Sequence, residues 1–280
     1  MTAAATIGII GGSGLYELFD ADAGRTIDVP TPFSATPARI TVGELGGRPV
    51  AFLPRHGAGH AVAPHLIEAR ANIWALASLG VTAIISTAAV GSVNAQYPPR
   101  TLAVLDQILD YTHGRADTFY DAGDVQHLPF ADPFDPVLRE LMIAAAPEAV
   151  PTATVGVIPG PRFSTRAESA RYRGDGAHLL NMTLSPEVAL AAELGIGTAT
   201  LAIVTDTDAG DAAGDPDSAT AELVFQRLAE ALPRIREIIV GVAAAIPADY
   251  APRQLIAAEA VQRVLARPVA AAADAARSEA

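Results

Sequence analysis

Three short stretches of this chain carry side chains able to bind or transform a small molecule. One is Arg55-His56-Gly57, with His60 and His65 close behind. Arginine offers a planar fork of N–H donors matched to phosphate oxygens, and histidine can add another donor, with a structural arginine capping a loop as the plainer alternative. The three histidines also raise the question of a metal. Gly57 stands where an H-E-x-x-H arrangement needs its glutamate, so no metal site is expected. The second stretch is Thr205-Asp206-Thr207-Asp208. Two carboxylates spaced i, i+2 can bind a metal or share protons with a nitrogen heterocycle, and both reach one cleft only if the strand bends. A solvated turn is the plainer alternative. The third is Gly8-Ile9-Ile10-Gly11-Gly12-Ser13-Gly14, where a glycine-rich turn brings backbone N–H groups, and the Ser13 hydroxyl, toward an anion. The dinucleotide fingerprint G-x-G-x-x-G is incomplete, because Glu17 replaces its last glycine.

Three further segments are weaker singly. Ser86-Thr87-Ala88-Ala89-Val90-Gly91-Ser92 places small residues after a buried strand, where backbone N–H groups stay accessible or a helix packs closely. Gly160-Pro161-Arg162-Phe163-Ser164 ends in a helix start at Ser164, with Glu168 one place beyond capping-box spacing. Phe163 there is either a base-stacking face or a core aromatic. Asn181-Met182-Thr183 ends a strand in a thioether and a hydroxyl, ahead of Pro186-Glu187.

These groups must be held by strands and helices that alternate. Period and breaker residues predict strands at Thr6–Ile10, Arg39–Val42, Pro49–Leu53, Val81–Ser86, Leu102–Leu109, Thr152–Ile158, His178–Met182 and Thr198–Thr205. Helices are expected at His65–Leu79 (stopped by Gly80), Val137–Ala146, Ser164–Arg173, Pro186–Leu194, Ala219–Ala245 and from Arg253 onward. The pattern is an α/β fold with a mixed, largely parallel central sheet flanked by helices. One domain is expected over residues 1–280, with a core over about 6–245 and a C-terminal helix at 253–280. The chemical residues fall at strand ends, where open α/β sheets bind ligands.

Composition narrows the chemistry. The chain has 280 residues and no cysteine, which excludes disulfides and thiol catalysis. All 19 basic residues are arginine, so Schiff-base lysine chemistry and a Walker lysine are excluded. A net charge of −12 argues against a general nucleic-acid or anionic-membrane binder. No targeting signal or membrane-length apolar stretch is evident, so a cytoplasmic location is expected.

Taken together, the stretches IGIIGGSGL, RHGAGH, ANIWALASLG, TAAVGS, GPRFSTRAES, NMTLSPE and TDTD resemble, in order and spacing, the methylthioadenosine phosphorylases of the trimeric purine nucleoside phosphorylase family. The resemblance runs from about Gly8 to Asp208. It implies a nucleoside-phosphorylase-like fold and phosphorolysis of S-methyl-5′-thioadenosine, with inorganic phosphate as co-substrate and no cofactor. It assigns phosphate to Ser13, Arg55, His56, Thr183 and the Ala88-Ala89 segment. The nucleoside falls to His60, Phe163, Asn181, Met182 and Thr207, and to Asp206 and Asp208 as the catalytic acids at the base. It also implies a homotrimer, with the polar loop from His113 to Asp121 as the segment reaching a neighbour.

The sequence departs from that family at Ala88, where a second threonine is common, and at Thr207, where an aromatic is common. Pro98-Pro99-Arg100 replaces Pro-Gly-Asp, and the residues after Asp208 match poorly. Phosphorylases of 6-oxopurine nucleosides remain an alternative, although paired acids suit a 6-amino group better than a 6-oxo group. A hydrolytic nucleosidase would leave Arg55 and His56 without an anion. A nucleoside-binding regulator would keep the pocket without turnover.

Overall fold

Ile7–Gly11 is wholly buried and forms the first strand, β1. The computed structural model describes residues 7–16, 18–19, 24–121, 123–210 and 212–269. A meander follows: β2 (Gly24–Thr31), β3 (Ser34–Leu45) and β4 (Arg48–Pro54), each antiparallel to the next. β4 returns beside β1 in parallel. Helix α1 (Ala69–Ser78) leads to β5 (Ala83–Ser92), which pairs in parallel with the other edge of β1. Next come β6 (Leu102–Val104), β7 (Gln107–Asp110), α2 (Pro136–Ala145), β8 (Thr154–Val157) and α3 (Arg166–Gly174). The chain then forms β9 (Leu179–Asn181), α4 (Leu184–Glu193), β10 (Gly197–Asp206), α5 (Ala221–Ala245) and α6 (Ala258–Leu265).

All ten strands belong to one mixed sheet, ordered β2-β3-β4-β1-β5-β9-β8-β7, with β10 pairing β5 and β6 beside that path. Side-chain alternation divides its two faces. Ile7 and Ile9 of β1, with Val50 and Phe52 of β4, pack under α2 and α5 against Leu138, Met142, Ile235 and Ile239. Ile10, Ala51 and Leu53 turn to the other face, toward Ile73 and Leu76 of α1, Leu190 of α4 and Val264 of α6. The expected architecture is therefore the observed one: a mixed, largely parallel sheet with helices on both faces.

Several boundaries differ from expectation, each for a local reason. α1 begins at Ala69 rather than His65, because Pro64–Leu66 form a separate 3-10 turn and Ile67 is extended. It does stop at Gly80, whose φ of +90° suits the left-handed position past a helix end. Leu102–Leu109 is two strands. β6 runs antiparallel to β10, and after Leu105-Asp106 the chain changes partner so that β7 runs parallel to β8. β5 does not end at Ser86; the small-residue segment through Ser92 continues the strand against β10 and β9. β2, unforeseen, is an edge strand whose exposed residues break any apolar run. α3 starts two residues later than expected, with Thr165 rather than Ser164 as its cap and Glu168 three places on in a complete capping box. α5 runs unbroken through Pro233 because Leu228, Ile235, Ile238, Ile239 and Val242 anchor it on both sides. Past Arg253 only Ala258–Leu265 is helical among the described residues, and the rest of the predicted 253–280 helix beyond residue 269 lies outside them. No helix among the described residues is long and apolar enough to cross a membrane.

Candidate active site

The carboxyl ends of β1, β4, β5, β9 and β10 converge on a cavity of about 290 Å³. One end is built for an anion. The turn after β1 lies against β5, where Gly12 N–H donates to the Thr87 hydroxyl at 3.0 Å. A Cβ on Gly12 would stand 2.5 Å from the Thr87 carbonyl oxygen, so this approach requires glycine. The approach sets Ser13 at the cavity wall beside Ala88 and Ala89. Arg55, just past β4, is 3 % exposed and reaches the same wall. Its Nε and Nη2 donate to the two Glu187 oxygens at 2.6 and 2.7 Å, and Nη1 donates to the Thr87 carbonyl at 3.0 Å. Three of the five guanidinium N–H groups are thus committed, leaving one on each Nη for a ligand.

His56 Nδ1–H donates to the Val62 carbonyl at 2.9 Å. Burial pushes its pKa down to about 4, helped by Arg55 and His60 and opposed by the Val62 bond. The neutral ring therefore keeps a lone pair on Nε2. Toward phosphate it can accept from a P–OH group, or donate once the incoming negative charge has protonated it. Thr183 follows β9 into the cavity wall, held by Asn181, whose Oδ1 accepts the backbone N–H of Thr183 and Leu184 at 2.7 and 2.8 Å.

The other end carries the acids. At the end of β10 the register against β5 slips between Val204 and Asp206, and Asp208 takes φ +52°. This is the bend that two carboxylates need to share a cleft. Asp206 and Asp208 are each 3 % exposed and both line the cavity. Asp206 Oδ1 accepts the Asp208 N–H at 2.8 Å and Oδ2 accepts the Thr205 hydroxyl at 2.7 Å. Asp208 Oδ2 accepts the Ser169 hydroxyl from α3. Gly91 makes room: a Cβ there would stand 2.6 Å from Asp206 Oδ1. Burial raises the Asp206 pKa to about 6, with Asp208 adding to the rise, while the Thr205 and Asp208 hydrogen bonds and Arg227 oppose it. Met182 lies between the two ends, and Phe163, 39 % exposed, stands at the rim.

Residues 6–243 match the family described as the phosphorylase superfamily. The chain belongs to that superfamily. It is 49 % identical over 209 residues to an S-methyl-5′-thioadenosine phosphorylase of Mycobacterium tuberculosis, covering 75 % of this chain and 78 % of that one. It is 40 % identical over 257 residues to a purine nucleoside phosphorylase of Streptomyces coelicolor, covering 88 % of this chain and 90 % of the relative. Among solved structures, a methylthioadenosine phosphorylase from Schistosoma mansoni in complex with adenine superposes with a TM-score of 0.83 at 34 % identity. That match covers 93 % of this chain and 97 % of the other.

In this superfamily member the cavity gathers nearly every residue singled out from the sequence: Ser13, Arg55, His56, His60, Ala88, Ala89, Phe163, Asn181, Met182, Thr183, Asp206 and Asp208. Thr207 is the exception. It lies one residue past the end of β10 and outside the cavity lining, where its N–H donates to the Asp217 carbonyl at 2.8 Å and its hydroxyl to Asp215 at 2.9 Å. Asn181 lines the wall, but its amide is spent on the backbone, including Ala89 O at 3.3 Å, so it shapes the site. Residues 118–121, the distal part of the loop expected to reach a neighbour, are docked on their own chain. Phe119 is fully buried there, and Glu193 holds Thr118 and Phe119 N–H.

Sequence reasoning gave no role to three groups. Thr87 and Glu187 set Arg55. The first turns of α5 put Ala221, Val224 and Phe225 into the cavity wall, where the Phe225 ring meets His60 edge-on at 5.4 Å. Their i, i+3, i+4 spacing was the available signal. Among the described residues no group of three or more His, Cys, Asp or Glu is placed to hold a metal ion.

Proposed function

We propose that the chain catalyses phosphorolysis of S-methyl-5′-thioadenosine, giving adenine and 5-methylthioribose 1-phosphate. One observation carries this: a single cavity joins a set of anion donors to a buried carboxyl pair, one of whose members has its pKa raised to about 6. Phosphate held by Ser13, Arg55, His56, Thr183 and the Ala88-Ala89 wall lies beneath C1′ and attacks it as the glycosidic bond breaks. The developing oxocarbenium charge is stabilised by the phosphate itself. The leaving purine gathers negative charge, which a neutral Asp206 carboxyl relieves at N7. Asp208, with one oxygen held by Ser169, offers the other to the 6-amino group. Met182 packs on the ribose, Phe163 lines the base, and Val224, Phe225 and His60 face the apolar 5′ methylthio group. Inorganic phosphate is the only co-substrate this chemistry needs.

A single phosphorylase domain acting in the cytoplasm as a homotrimer completes the proposal. Phe163, Phe225 and Leu66 expose apolar surface at or beside the cavity mouth, as expected where a neighbouring subunit closes the site. The test is cleavage of methylthioadenosine, adenosine and inosine with and without phosphate. Phosphate-dependent release of adenine, fastest from methylthioadenosine, is expected. Turnover without phosphate, or faster turnover of inosine, would overturn the proposal.

A further inference from the structure

Beyond its cavity-facing turns, α5 carries Arg227, which is 7 % exposed and lies outside the cavity wall. An arginine so buried needs strong partners. Nη1 donates to the Thr205 carbonyl at 2.6 Å, and Nη2 pairs with Asp217. Thr205 immediately precedes Asp206 and holds it through its own hydroxyl at 2.7 Å. Asp217 sits on the returning limb of the 207–220 loop. Its carbonyl accepts the Thr207 N–H at 2.8 Å, and two residues on the Ala219 N–H donates to the Asp208 carbonyl at 2.7 Å. Asp215 adds a cross-tie, accepting the Thr207 hydroxyl on one oxygen and the Asp217 N–H on the other, both at 2.9 Å. One guanidinium therefore bridges the strand end that carries Asp206 and the loop that carries Asp208.

We propose that Arg227 is a positioning residue: it ties the 207–220 loop to the end of β10 and so holds Asp206 and Asp208 in their bent arrangement at the base end of the cavity. It touches neither substrate nor phosphate. Its charge matters as well as its geometry. The groups facing Asp206 are Thr205 and Asp208 from its own segment, Arg227 from α5 and the glycine of β5, with Ser169 and Tyr172 of α3 beyond Asp208. Arg227 is the one cation among them, and it opposes the rise that burial imposes on Asp206. Asp217 in turn partly cancels Arg227.

The inference rests on the phosphorolysis proposed above, and opposing charge changes test it. Arg227→Leu, Arg227→Lys and Asp217→Ala are compared with wild type for adenine binding, for kcat and KM with methylthioadenosine, and for the pH profile of kcat/KM. Arg227→Leu should lower kcat/KM at least about tenfold, weaken adenine binding, and move the Asp206 limb of the profile up by about half a pH unit or more. Asp217→Ala, at a partly exposed side chain, should also lower kcat/KM but move the limb down, because Arg227 is then less compensated. Arg227→Lys should return the limb toward wild type. A purely structural arginine would not give limb shifts of opposite sign. If both limbs stay in place, or kcat/KM of Arg227→Leu and Asp217→Ala lies within twofold of wild type, the inference is overturned. A wild type without phosphate-dependent turnover would overturn the functional proposal instead, and weakened adenine binding by the variants would still support the positioning role.

Discussion

Asp206→Asn should stabilise the substrate-free protein while impairing it as an enzyme. The Asp206 carboxyl is raised from 3.8 to about 6, chiefly by burial. The folded state therefore holds the proton more tightly than the unfolded chain does. Its stabilising contribution is whole below about pH 4 and is lost as pH rises through about 6. At 1.36 kcal/mol per unit, the ionised carboxylate costs the fold about 3 kcal/mol at pH 8, and about half of that at pH 5. Asparagine removes this cost and keeps the hydrogen bonds. Its carbonyl can accept the Asp208 N–H in place of Oδ1. Its amide can donate to the Thr205 hydroxyl, which is then free to donate to the Val90 carbonyl at 3.3 Å. Thermal scanning at pH 8 should show the variant melting higher by about 5 °C or more, a gain that shrinks by about half at pH 5. A variant that melts lower, or a gain that does not change with pH, would refute the assignment of the cost to a buried charge.

Four more outcomes follow from the site. Arg55→Ala should raise the KM for phosphate by about ten- to a hundredfold, equivalent to about 1.5–3 kcal/mol for a lost charge-assisted hydrogen bond; unchanged phosphate saturation would remove Arg55 from the anion site. Gly91→Ala should reduce kcat without unfolding the protein, since the new methyl group lands against Asp206 Oδ1, and circular dichroism together with a turnover assay reads both effects. Phe225→Ala should raise the KM for methylthioadenosine about tenfold and that for adenosine less, because the smaller 5′ hydroxyl leaves less apolar surface on the ring. Asp208→Asn combined with Asp206→Asn should shift the kcat/KM ratio from methylthioadenosine toward methylthioinosine, because amides can donate to a 6-oxo group; an unmoved ratio would mean that neither acid reads the base.

Features fixed by local physics were legible from the residues. The stop of α1 at Gly80 is a matter of one left-handed position, and β10 announced itself through the apolar and β-branched run Thr198–Thr205, which the structure buries throughout. The site residues were legible because their types are chemically costly to bury without purpose. Partners distant in sequence were not legible. Glu187 lies 132 residues from Arg55, and no periodicity connects them. β2 escaped because an edge strand lacks the apolar pattern that marks a buried one. Thr207 entered the site because the resemblance treated the TDTD segment as a unit, whereas the chain past the end of β10 turns its hydroxyl to Asp215 in the following loop.

The pairing of Arg55 with Glu187 governs how phosphate arrives. With the guanidinium balanced by a carboxylate and His56 neutral, the anion pocket carries no net positive charge of its own, inside a molecule of formal charge −12. The pocket itself adds no net charge to draw a dianion in, and the net charge of the chain opposes its approach. Recognition falls to short, directed hydrogen bonds felt only on contact. Phosphate binding should then quicken in moderate salt, which screens that repulsion, the reverse of the salt response expected of an electrostatically steered enzyme.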